Sequence, residues 1–136
     1  MKIAVIGAAG KAGTHILREA LMRNYDVTAI VKNRATLQED NIAIIESDLF
    51  NLTKEQIEPF DILINAFAPL PGEEHLHVTA GEYLISLLEG TSKKLFVVGS
   101  SGCLYVNREK TVRLMDLEDY PEDLVDTARA QLQNLQ

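Results

Sequence analysis

Seven residues near the start of the chain, Gly7-Ala8-Ala9-Gly10-Lys11-Ala12-Gly13, have the types and spacing to hold a phosphate. They follow an apolar run, Ile3 to Ile6, and lead into a segment in which Ile16, Leu17, Ala20 and Leu21 recur at helical spacing. In such a GxxGxxG loop the first glycine lets the chain leave a strand in a tight turn. The second lets the backbone come close to a bound group, and the third lets the helix pack tightly. Backbone N–H groups and the positive end of the helix dipole then face the loop, which suits the pyrophosphate of a dinucleotide. Gly7, Ala9, Gly10, Lys11, Ala12 and Gly13 are the expected contacts. A purely structural strand-to-helix turn is the competing reading, and the place of the triplet at the head of a βαβαβ pattern argues against it.

The second informative stretch is Val31-Lys32-Asn33-Arg34. Sites built for NAD place an acidic residue at the end of the second strand, about 20 residues after the glycine loop, where it holds the ribose 2′-hydroxyl. No carboxylate stands there, and Asp26 lies at the opposite end of that strand. Lys32 and Arg34 can instead pair with a 2′-phosphate, the guanidinium as a fork and the ammonium as a point charge. NADP(H) is therefore the preferred cofactor and NAD(H) the alternative, with ordinary solvated charges as the plain reading of the two residues.

These positions need a scaffold, and its pattern is regular. Apolar runs rich in β-branched residues recur at Ile3 to Ile6, Val27 to Val31, Ile42 to Ile45, Ile62 to Ala66 and Leu95 to Val98. Near-continuous runs of this kind are expected to be buried on both faces of a parallel sheet. Helical stripes lie between them, with Gly81, Leu84, Ile85 and Leu88 forming the second. Thr53 and Gln56 make a capping box that predicts a brief helix ending near Pro59. A last helix is predicted from Tyr120 and Pro121, with Leu124, Ala128, Leu132 and Leu135 on one face.

Strand alternating with helix implies right-handed crossovers. The fold class is α/β, a Rossmann doubly wound parallel sheet in the order 3-2-1-4-5, with residues 1–136 expected to form one NAD(P)-binding domain. Doubly wound folds often carry a sixth strand, so C-terminal elements of the larger fold are expected to be lacking.

The chain of 136 residues carries 13 Lys plus Arg against 20 Asp plus Glu, a formal net charge of -7. Broad attraction to nucleic acid or to an anionic membrane is not expected, so an anionic ligand needs a local site. The single cysteine, Cys103, cannot pair within the chain, and no thiolate metal cage can form. His75 and His77 lack an obvious third ligand, so no metal is expected. The opening apolar run is too short for a signal segment or a membrane span, and a reducing cytoplasmic setting is the expectation.

The opening MKIAVIGAAGKAG, the VTAIVKNR segment, Ser47-Asp48-Leu49 and Leu95-Phe96-Val97-Val98-Gly99-Ser100 together resemble an atypical short-chain dehydrogenase/reductase. Within that superfamily the chain is similar to the small NmrA-like NAD(P)H-binding proteins described as NADH-flavin reductases or epimerase-like proteins. The resemblance implies that Asp48 and Leu49 contact the adenine and that Ala66 and Phe67 pass close to the cofactor ribose. It implies a catalytic hydroxyl from Ser100 or Ser101 after the fifth strand.

The YxxxK pair of short-chain dehydrogenases is missing, because Thr127-Ala128-Arg129-Ala130-Gln131 falls where it would stand. Hydride transfer to a flavin, quinone or other small acceptor tolerates that loss, since positioning is the protein's main duty there. An NAD(P)H-dependent reductase is thus the leading expectation, and a non-catalytic NADP(H)-binding redox sensor of the NmrA type is the alternative. An open edge on the fifth strand and the resemblance together lead to a homo-oligomer as the expected assembly.

Overall fold

The computed structural model describes residues Met1–Gln136. The elements in chain order are β1 (Lys2–Ile6), α1 (Lys11–Met22), β2 (Asp26–Val31), β3 (Ala43–Glu46), α2 (Lys54–Ile57), β4 (Ile62–Asn65), α3 (Leu76–Leu88), β5 (Lys94–Val97) and α4 (Glu122–Leu135), with short 3-10 turns between several of them. The chain divides into two compact units, one made of Met1–Ala68 with Tyr83–Val98, the other of Pro69–Glu82 with Gly99–Gln136.

The first unit holds the whole sheet, in the order β3-β2-β1-β4-β5. All four pairings are parallel, as the βαβ alternation predicts. Register places Val5 between Ala29 and Ile64, at the centre of the sheet. Ile3 to Ile6 and Val27 to Val31 are buried almost without remainder, Thr28 included, so β1 and β2 behave as central strands covered on both faces. Leu17 and Ala20 of α1 close over them, with Ile16 and Leu21 at the margin.

Burial on both faces fails at the edge. In β5, Phe96 is 56% exposed and Val97 is also exposed, and β3 is only half-buried. An edge strand has one neighbour rather than two, and apolar composition alone does not distinguish it from a central strand. The Thr53–Gln56 capping box forms, with Gln56 N–H donating to Thr53 Oγ1 at 3.2 Å and Thr53 N–H to Gln56 Oε1 at 3.0 Å. Lys93 Nζ donates to the Glu58 and Phe60 carbonyls, each at 2.7 Å, and so ties off the turn between α2 and β4.

The buried face of α3 is carried by His77, Ala80, Gly81, Leu84 and Leu87, whereas Ile85, expected inside, is 59% exposed. The face is rotated toward His77, Ala80 and Gly81, and a Cβ on Gly81 would overlap the Asn134 side chain.

In the second unit α4 shows the same kind of offset. Pro121 is the N-cap and the helix starts at Glu122. Ala128, Ala130 and Gln131 are buried, but Leu124 and Leu135 lie at the surface. Helix α4 packs against the 3-10 turn Ser101–Cys103, and the contact is tight. A Cβ on Gly102 would stand 2.7 Å from both Ala128 Cβ and the Tyr120 hydroxyl. Cys103 Sγ donates to the Ala128 carbonyl at 3.3 Å.

Candidate functional site

The glycine loop joins β1 to α1 in the first unit, and its three glycines do three different jobs. Gly7 sits at φ +73, and a Cβ there would meet the Ala66 carbonyl oxygen at 2.7 Å. Its N–H donates to Ile30 O at 3.1 Å, which holds the turn against β2. A Cβ on Gly13 would overlap the Gly7 carbonyl oxygen and stand 2.7 Å from its carbon. The close approach that Gly13 allows is therefore to the loop itself, at Gly7 and Ala8, rather than to the sheet as a whole. Gly7 and Gly13 are demanded by the fold.

Gly10 is not demanded in that way. Its backbone is extended, at φ -75 and ψ 174, a conformation open to any residue. A Cβ there would find only the Gly7 oxygen, at 3.3 Å. Gly10 is exposed and is the N-cap of α1, where no side chain caps the helix. The bare surface above it is the cradle that a Cβ would fill. A pyrophosphate brought against the first turn of α1 fits this arrangement, because nothing in the protein occupies that space and the helix dipole favours an anion there.

Lys11 opens α1 with a positive charge, at the end where a cation opposes the helix dipole. Thr14 ties the loop together, its N–H donating to Gly10 O at 2.8 Å and its Oγ1 to Ala8 O at 3.2 Å. Ala9 and Ala12 complete the loop, both partly exposed.

At the end of β2, Lys32 is highly exposed and its Nζ lies 3.4 Å from Asp48 Oδ2. Asn33 caps a 3-10 turn over Arg34–Thr36, accepting from Ala35 N–H at 3.0 Å. The Arg34 N–H donates to Glu46 Oε2 at 2.8 Å, which anchors the turn to the end of β3. The Arg34 residue itself is exposed. The two cations thus stand at the carboxyl end of the sheet, where ligands of open α/β folds bind.

Asp48 and Leu49 follow β3. Asp48 Oδ1 accepts from Phe50 N–H at 3.0 Å and caps the 3-10 turn Leu49–Asn51. Leu49 is buried. Ala66 extends the ladder past β4, its N–H donating to Ile6 O at 3.0 Å. The Phe67 ring stands edge-on to Phe50, with centroids 6.1 Å apart. Glycine loop, β2 end, β3 end and β4 end therefore all belong to the first unit, at the carboxyl edge of one parallel sheet.

Three participants escaped the sequence reading. Asn65 is buried at the end of β4, and its Oδ1 accepts from Phe67 N–H at 3.0 Å, setting the path of the chain past Gly7. Its position as the polar last residue of an otherwise apolar strand is the available signal. Arg18 and Glu39 form an ion pair at 2.6 Å across 21 residues, and no local spacing reveals it.

In the second unit, Ser100 and Ser101 begin a tight turn. Ser100 Oγ accepts from Gly102 N–H at 3.2 Å, and its carbonyl accepts from Cys103 N–H at 3.1 Å. Tyr105 has a guanidinium as its cationic neighbour: Arg113 Nη2 donates to the Tyr105 hydroxyl at 2.8 Å and lies over its ring. Burial pushes the Cys103 thiol pKa up, against an opposing pull from Arg113. His77 is buried and burial lowers its pKa, with Glu74 acting in the opposite direction. No group of three or more metal-ligating side chains is assembled, and no helix is long and apolar enough to cross a membrane.

The sheet order and the glycine loop at its first crossover are those of a Rossmann-like fold, the class that binds dinucleotides. Residues 7–135 match the NAD(P)H-binding family, and the chain belongs to it. YwnB of Bacillus subtilis, an uncharacterised protein, is 52% identical over 136 residues, covering 99% of this chain and 64% of its own length.

A crystal structure from Streptococcus pneumoniae, of a proposed NADH-flavin reductase, is 42% identical with a TM-score of 0.92. It covers 99% of this chain and 64% of that one. A proposed epimerase from Bacteroides thetaiotaomicron is 28% identical with a TM-score of 0.82, covering 98% of this chain and 62% of that one. The chain thus spans less than two thirds of the length of each of these relatives.

Proposed function

We propose that the protein is an NAD(P)H-dependent reductase that passes hydride to a small acceptor, a flavin or a quinone. The observation that carries this reading is Gly10, a glycine that neither backbone strain nor internal packing requires, at the bare N-terminus of α1. A 42% identical protein described as a proposed NADH-flavin reductase supports the choice of acceptor.

Bound nicotinamide would supply the hydride. Gly7 to Gly13 would hold the pyrophosphate through backbone N–H groups, and Ala66 and Phe67 would flank the ribose. Asp48 has acceptor capacity beyond its bond to Phe50 N–H and its ion pair with Lys32 and would take the exocyclic amine of adenine, beside Leu49. Lys32 and Arg34 favour NADPH over NADH, because a 2′-phosphate needs cations and the end of β2 offers two. Ser100 or Ser101 is the proposed hydroxyl that orients the acceptor. A tyrosine–lysine pair is not called on, since hydride transfer to a flavin needs orientation more than a phenolic acid.

Steady-state oxidation of NADPH, followed at 340 nm with and without added FMN or a quinone, tests this. Turnover that depends on the acceptor is expected. NADPH binding without oxidation in the presence of either acceptor would refute the reductase.

A further inference from the structure

Residues 104–114 form a hairpin in the second unit. Val106 N–H donates to Val112 O and Leu114 N–H to Leu104 O, each at 2.9 Å, and Tyr105 pairs with Arg113 across an antiparallel bridge. Asn107 Oδ1 closes the tip by accepting from Thr111 N–H at 3.0 Å and from Val112 N–H at 3.1 Å. Asp116 Oδ2 accepts from Arg113 N–H at 2.9 Å. The backbone alone therefore sets Tyr105 opposite Arg113.

The guanidinium of Arg113 has two partners. Its Nη1 donates to the Cys103 carbonyl and its Nη2 to the Tyr105 hydroxyl at 2.8 Å, so one planar fork ties the phenol to the end of the Ser101–Cys103 turn. A phenol hydroxyl both accepts and donates. The Tyr105 oxygen accepts from Arg113, and no group of the protein accepts its proton. Tyr83 differs, its hydroxyl donating to Leu52 O at 2.6 Å. With Tyr105 45% exposed, that proton is available to a bound molecule. The guanidinium stands where negative charge would fall once the proton is given. A cation–π staple alone would need the ring, whose centroid is 4.1 Å from the guanidinium carbon, and not the hydroxyl.

We propose that Tyr105 is the acid that protonates the acceptor, and that of the two acceptors the quinone is the one this phenol serves. The inference rests on the reductase reading. A quinone that receives hydride from NADPH at one carbonyl oxygen is left with negative charge on the other. The Tyr105 O–H bond breaks, the proton joins that second oxygen to give the hydroquinone, and the phenolate beside Arg113 recovers a proton from water. Oxidised flavin takes hydride at N5 and leaves as the reduced anion, so it does not need this proton in the same step.

Tyr105→Phe tests it, with menadione and FMN as acceptors in separate assays and with calorimetric titrations of menadione and NADPH. Menadione kcat should fall about hundredfold, at the low end of what a general acid supplies. Menadione affinity should fall no more than about tenfold, the size of one lost hydrogen bond. FMN turnover should fall far less, and the stoichiometry of NADPH binding counts the folded sites in both proteins.

Phenylalanine keeps the ring beneath the guanidinium, so a staple alone predicts no loss specific to the quinone. Menadione kcat within about tenfold of the parent, per folded site, overturns the inference. So does an equal fall with both acceptors, or a parent that reduces FMN and not menadione; each of these leaves the reductase standing. A parent that reduces neither acceptor overturns the two together.

Discussion

Replacing Gly10 by alanine asks whether the loop serves a ligand or only the fold. The backbone at Gly10, φ -75 and ψ 174, accepts an L residue without strain. The new Cβ would lie 3.3 Å from Gly7 O, a contact relieved by a shift of a few tenths of an ångström. Against that small cost, alanine restricts the unfolded chain and returns about 0.4–1 kcal/mol. The melting temperature should therefore stay within about 4 °C of the parent, equivalent to about 1 kcal/mol for a chain of this size.

Affinity should respond very differently, because the methyl group occupies the surface on which the pyrophosphate is to rest. A loss of at least tenfold in NADPH affinity, about 1.4 kcal/mol, is expected by calorimetry. Gly13→Ala is the contrasting case. Its Cβ would overlap Gly7 O, so the start of α1 must move by about an ångström or more, and stability should fall by about 4 kcal/mol. NADPH affinity within twofold of the parent in Gly10→Ala, with stability kept, would refute the ligand role of the loop.

Alanine at both Lys32 and Arg34 should weaken NADPH severalfold and leave NADH nearly unchanged; equal loss for both cofactors would show that neither residue reads the 2′ position. Burial depresses the pKa of His77, so the unfolded chain takes up more protons as pH falls through about 6.5, and stability should fall with it. Melting curves from pH 8 to pH 5.5 should show a smaller decline in His77→Gln than in the parent, and parallel slopes would contradict this. Cys103 is buried, its thiol pKa is raised and its Sγ is bonded to Ala128 O, so its reaction with a disulfide reagent at pH 8 should be slower in the native chain than in the unfolded one by on the order of a hundredfold. Comparable rates would mean that the turn Ser101–Cys103 opens freely.

The central part of this architecture was readable because it is written in local signals. Ile3 to Ile6 is apolar without interruption, Val27 to Val31 is broken only by Thr28, and the capping box at Thr53 is a matter of side chains three residues apart. What escaped depends on which neighbour an element meets. Ile85 and Leu124 fit helical stripes as well as Leu84 and Ala128 do, and only packing decides that Leu84 and Ala128 face inward.

Phe96 belongs to a strand as apolar as the central ones, and its exposure follows from being at the edge of the sheet. Lys11 is singled out only as part of the glycine loop, and His15 and Arg18 read as an ordinary solvated helix face. Their partners, Thr36, Gln38 and Glu39, lie 18 or more residues away in a stretch with no periodic pattern.

The contact between Gly13 and Gly7, together with that between Gly7 and Ala66, has a kinetic meaning. Each leaves no room for a side chain, so the turn is wedged between β4 and α1 by backbone alone. A loop shaped by such contacts is fixed before any ligand arrives, so a dinucleotide binding there should meet no ordering step. Association should be set by encounter and charge rather than by a change of shape, giving single-phase kinetics whose rate rises linearly with NADPH concentration.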